Sequence, residues 1–121
     1  MKRLLLVFLM FPLLAYADGA MTVGDLNQIC LEQNIEGKAI CKFYILGVTN
    51  GINLGMSIAD GKTSGGRPCI PENITASSLE LGIKNSIGEV LKKYPSDASL
   101  VASGYIGALL VKAFPCNKPR T

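Results

Sequence analysis

Between Cys41 and Met56 the apolar residues Cys41, Tyr44, Ile45, Val48, Ile52 and Met56 recur with the 3.6-residue period of one helix face. The period holds for more than four turns, so this stretch commits the chain to a long buried helix, expected over about 38–59. Gly47, Gly51 and Gly55 fall four apart and share a stripe of that helix. Each glycine costs roughly 1 kcal/mol against alanine in a helix interior. The expected offset is a close approach of another backbone, with Tyr44 packing beside the stripe.

The rest of the chain reads as three further helices. Thr22 is placed to cap a first helix running to about Gln33, with Asp25 in its first turn and Met21 and Leu26 as a hydrophobic staple. Asn34–Gly37 reads as the turn into the long helix. Thr75 caps a third helix with Leu79, Ile83, Ile87, Val90 and Leu91 on one face, ended by Tyr94-Pro95. Ser96 is expected to cap a fourth helix offering Leu100, Val101, Tyr105, Ala108, Leu109 and Val111 to the core. Sustained alternation is absent, and Asn50-Gly51 falls inside the helical pattern instead of between two strands. The fold class is therefore all-α, a small four-helix domain.

Residues 1–17 are expected to be a signal peptide outside that domain. Lys2 and Arg3 begin it, Leu4–Leu14 is an apolar run too short to span a bilayer, and Ala15-Tyr16-Ala17 is a small-x-small cleavage pattern before Asp18. Twelve Lys/Arg less Lys2 and Arg3 leave ten against nine Asp/Glu in residues 18–121, a net charge of +1. A nearly neutral chain with few aromatics gives no footing for nucleic acid, and the run Leu100–Val111 is too short for stable membrane insertion.

Cys30, Cys41, Cys69 and Cys116 all lie in that exported part. An even count in a small exported chain points to two disulfides. Three pairings are possible. A tight helical hairpin brings Cys30 and Cys41 together and leaves Cys69 for Cys116, the pairing favoured here. Zinc is the poorer alternative, since no Cys-x-x-Cys and no histidine is present.

Catalytic chemistry is hard to build from these residues. Without histidine, Ser-His-Asp and Cys-His nucleophilic sites are excluded. Gly61-Lys62-Thr63 resembles the end of a phosphate loop, but the first glycine of that motif would fall on Met56. Asn73-Ile74-Thr75 fits a glycosylation pattern that is common by chance, and Glu32 and Glu36 read as solvated charge. No metal, cofactor or catalytic residue is expected. The chain reads as one that binds.

The binding segment is expected at 60–68 together with the start of the third helix. This is the longest polar irregular run, and Cys69 fixes its base. Lys62, Thr63, Ser64 and Arg67 are its candidate contact residues. Lys62 and Arg67 suit acidic groups, and Gly65-Gly66 lets backbone pass close to a partner.

Several separated motifs together resemble the Rap/Tai family of immunity proteins. They are Leu26-x-x-x-Cys30, Cys41-x-x-Tyr44-Ile45-x-Gly47-Val48-x-x-Gly51, Cys69-Ile70-Pro71 with Ile74-Thr75, and Ala108-Leu109 with Phe114-Pro115-Cys116. The resemblance covers roughly 23–116. It departs from the family pattern at Asn50, where an acidic residue is often found, and at Tyr94-Pro95, where His-Pro is common. The resemblance implies a periplasmic homodimer that sterically blocks a peptidoglycan amidase toxin delivered by a type VI secretion system, the toxin carrying a papain-like Cys-His pair. In a homodimer the glycine stripe would serve a subunit contact. The alternatives are a small periplasmic helical chaperone, which would suppress aggregation at low pH, and a secreted effector, which would be toxic in the periplasm.

Overall fold

The computed structural model describes residues 19–59 and 67–116. The expected leader and the loop residues Lys62, Thr63 and Ser64 lie outside them. Among the described residues there are four α-helices, α1 (Val23–Leu31), α2 (Ile35–Ala59), α3 (Ala76–Lys93) and α4 (Ala102–Ala113), with a 3-10 segment at Pro95–Ser99 before α4. There is no strand, only the isolated bridges Thr22–Val101 and Pro68–Pro115. None of these helices is long and apolar enough to cross a membrane.

Local chemistry starts α1 and α3 where the sequence places them. Thr22 Oγ1 accepts the Asp25 N–H at 3.1 Å, and Asp25 Oδ2 accepts the Thr22 N–H at 3.2 Å, a reciprocal capping box. Thr75 Oγ1 accepts the Ser78 N–H at 3.1 Å and starts α3.

The turn between α1 and α2 is tighter than Asn34–Gly37. Helix α1 stops at Leu31 and α2 begins at Ile35. Asn34 itself caps α2, its Oδ1 accepting the Gly37 N–H at 2.6 Å. Gly37 is buried against α1, and a Cβ there would lie 2.5 Å from that of Glu32. A side chain would hold the hairpin open.

Helix α4 starts later than expected. Ser96 does not cap it; residues 95–99 form the 3-10 segment, closed by Leu100 N–H to Asp97 C=O at 3.0 Å. Leu100 and Val101 are then held extended against the N-terminus of α1. Val23 N–H reaches Leu100 C=O at 2.9 Å, and Ala102 N–H reaches Met21 C=O at 2.9 Å. The buried face of α4 is consequently Ala102, Ile106 and Leu110, with Tyr105 and Leu109 partly buried; Leu100, Val101 and Ala108 are exposed.

The fully buried cluster comprises Val23, Leu26, Cys30, Cys41, Ile45, Leu79, Ile83, Ile87, Ala102, Ile106 and Leu110, all on the four helices. Helix α1, though the shortest, touches α2, α3, α4 and the 3-10 segment. Gly24 allows that approach: a Cβ there would lie 3.2 Å from the Ala98 Cβ and 3.1 Å from its carbonyl oxygen. Both expected disulfides are formed, Cys30–Cys41 and Cys69–Cys116, each with Cα atoms 5.0 Å apart.

Candidate partner-binding surface

Helix α2 buries one face and exposes another, and both are apolar. Cys41, Ile45 and the hydroxyl-bearing Thr49 point inward, with Tyr44, Val48 and Ile52 partly buried beside them. Thr49 satisfies its buried hydroxyl by donating to the Ile45 carbonyl at 2.8 Å. On the outer side Ile35, Phe43 and Leu54 are 88%, 70% and 63% exposed. Gly47, Gly51 and Gly55 lie away from the core, and a Cβ on any of them would meet nothing within 4 Å. The expected close approach inside the chain is therefore not made. Among the described residues the most closely crowded glycines are Gly24 and Gly37, with Gly107 in contact range of Ile52, and on the α2 stripe Gly47 and Gly51 form an open notch between Phe43 and Leu54.

The second half of α2 forms one wall of a cleft, and residues 67–76 form the other. Two adjoining cavities of about 340 and 390 Å³ share Asn53 and Ile70. The first is lined by Asn53, Met56, Arg67, Pro68, Cys69 and Ile70. The second continues past Asn50, Pro71 and Glu72 to the start of α3 at Ala76 and Leu79. Its floor is apolar, and Asn50, Asn53, Glu72 and the exposed Arg67 supply polar groups around it.

Two features hold the 67–76 wall. Cys69 is bonded to Cys116, and the Cys69 N–H reaches the Phe114 carbonyl at 2.8 Å, a backbone bond of the Pro68–Pro115 bridge. Ile74 N–H closes a turn onto Pro71 C=O at 3.2 Å, which leads directly into the Thr75 cap. Thr75 is thus committed to starting α3, as its place in the sequence implies.

Of the four expected contact residues, Arg67 is described, and the structure sets it at the mouth of this cleft. Asn53, Ile70 and Glu72 line the same cleft and were not among the expected contact residues. Asn53 sits far from 67–72 in the chain, and only the path set by Cys69–Cys116 brings the two stretches together. The adjacency of Ile70 and Glu72 to Cys69 was the available signal. Among the described residues no group of three His, Cys, Asp or Glu side chains is placed to hold a metal ion.

One titrating group is visibly perturbed. Tyr105 donates its hydroxyl to Asp97 Oδ2 at 3.0 Å and ties α4 to the 3-10 segment. Burial first, then this bond and the neighbouring negative charge, push its pKa above the usual 10.0.

Against known proteins, the model of the Rap1a immunity proteins matches residues 22–116, most of the chain. The chain belongs to the Rap1a immunity protein family. The match begins at the Thr22 cap and ends at Cys116, so it takes in all four helices and both disulfides. No curated protein and no solved structure matched the chain. Membership of an immunity family implies an inhibitor that binds a toxin, in keeping with a chain that has no histidine. Both disulfides fit an exported member of such a family.

Proposed function

We propose that this protein is a periplasmic immunity protein that binds and sterically inhibits a peptidoglycan amidase delivered by a type VI secretion system. The observation that carries the reading is the Rap1a family match over 22–116. Residues 1–17 act as the export signal and residues 18–121 as the inhibitor. The inhibitor needs no chemistry of its own: a helical body braced by two disulfides presents a fixed surface that fills the enzyme's substrate groove. The segment that enters the groove is the one carrying Lys62, Thr63, Ser64 and Arg67, and the cleft between α2 and residues 67–76 beside Arg67 receives part of the enzyme in turn. An arginine desolvated at such a contact can cost 2 kcal/mol or more on truncation.

The protein also self-associates in this reading, as the family resemblance implies. The outer face of α2 suits a second copy: Phe43 and Leu54 project on either side of the glycine notch, so like faces can interdigitate. A Phe43→Glu substitution would then yield monomers by sedimentation, with the helical signal intact.

The deciding experiment is periplasmic protection. The test cells export the cognate toxin proposed here, a peptidoglycan amidase, which should lyse them when no inhibitor is present. Co-expression of the full chain should prevent lysis, and the chain lacking residues 1–17 should not. Lysis unchanged by the full, exported and oxidised chain would overturn the reading.

A further inference from the structure

We propose that Cys69–Cys116 is a reducible latch, which a dithiol opens while Cys30–Cys41 and the four-helix body stay intact. The two disulfides sit in opposite environments. Cys30 and Cys41 are 3% and 2% exposed and belong to the fully buried cluster. Cys69 is exposed and lines the first cavity, and Cys116 is half-buried. Thiol–disulfide exchange needs a thiolate to reach sulfur, so access separates the two bonds.

The body does not depend on the latch for its core. Each member of the fully buried cluster lies on α1, α2, α3 or α4. What ties residues 67–75 to the end of α4 apart from the disulfide is the Cys69–Phe114 backbone bond of the Pro68–Pro115 bridge and the partly buried Ile70, Ile74 and Phe114. Opening the bond therefore loosens the wall of the cleft and leaves the helices packed.

The chemistry balances. A dithiol thiolate attacks the Cys69 sulfur, and Cys116 leaves as a thiolate and takes a proton from water. The reagent's second thiol then displaces Cys69 and closes the reagent into a cyclic disulfide. Two electrons pass from the dithiol to the protein. The latch couples the shape of the cleft to the redox state of the surroundings, and it does so whatever partner the cleft takes.

The test uses the oxidised full chain and graded dithiothreitol at neutral pH, quenched with iodoacetamide and mapped by peptide mass. Cys69 and Cys116 should be alkylated at least tenfold faster than Cys30 and Cys41, with the helical circular dichroism retained. Amide exchange should become fast in 67–75 and 111–116, while Val23–Leu31 stays protected. A Cys69→Ala/Cys116→Ala variant should show the same exchange pattern without reductant. Simultaneous reaction of all four cysteines, earlier reaction of Cys30 and Cys41, unaltered exchange in 67–75, or loss of helical signal in the variant would each overturn the proposal.

Discussion

In the α1–α2 hairpin the disulfide lies inside the core, the turn is capped by Asn34, and Gly37 packs where a side chain would collide with Glu32. At the Cys69–Cys116 closure the bond is exposed, a single backbone bond runs beside it, and the space in front of it is a cleft. One cross-link continues the packing, and the other substitutes for it. The loops they close differ as well, with sequence separations of 11 and 47. In the chain-entropy model the longer loop contributes about 4 kcal/mol and the shorter about 3. Stabilising effect and accessibility thus rank the two bonds in the same order: the link that is easier to reach also restrains more of the unfolded chain.

Replacing the cysteine pairs breaks this comparison most directly. Cys69→Ala/Cys116→Ala should lose about 4 kcal/mol by denaturant titration, and Cys30→Ala/Cys41→Ala about 3 kcal/mol from its loop plus whatever the vacated core positions add. If the first pair cost less than about 1 kcal/mol, the closure would not restrain the chain as described.

The glycines sharpen the contrast along α2. Gly37→Ala, at the hairpin end, forces Glu32 or the helix to move and should cost about 1–3 kcal/mol. Gly51→Ala, in the open stripe beside the cleft-bearing half, meets nothing within its own chain and should stabilise the monomer by up to about 1 kcal/mol through helix propensity. Thermal melts of the two variants should shift in opposite directions; a matching loss in Gly51→Ala would restore a close contact at the stripe.

The smallest effect is expected at Tyr105. Tyr105→Phe removes the bond to Asp97 and should cost about 1 kcal/mol. The pKa of Tyr105 is higher in the fold than in the unfolded chain, so the folded state holds this proton more tightly. Its contribution is complete below pH 10 and is lost as the pH rises through the folded value. The wild-type chain should therefore lose more stability than Tyr105→Phe above pH 10.

Much of this was legible in the residues because it is local. Thr22 with Asp25, and Thr75 with Ser78, make their caps within four residues, and Tyr94-Pro95 ends α3 by its own backbone restriction. The periodic positions Cys41 and Ile45 do point inward. The start of α4 was not legible, because backbone bonds from Val23 and Ala102 hold Leu100 and Val101 extended against α1. The role of the α2 glycines was hidden for another reason. Helix α2 is apolar on both sides, so hydrophobicity alone could not tell which stripe lay against a neighbour. The cleft joins Asn53 to residues 67–72 across the turn of the chain, a juxtaposition that Cys69 hinted at but only tertiary structure makes.

The central claim is that the folded, oxidised chain inhibits by binding. It is tested most directly by titrating the purified protein into the cognate toxin proposed above, a peptidoglycan amidase, following heat of binding and peptidoglycan hydrolysis on the same samples. The account predicts saturable binding tighter than about 1 μM, corresponding to about 8 kcal/mol, with hydrolysis falling in step with occupancy. Full hydrolysis and no heat in the presence of excess oxidised protein would contradict it.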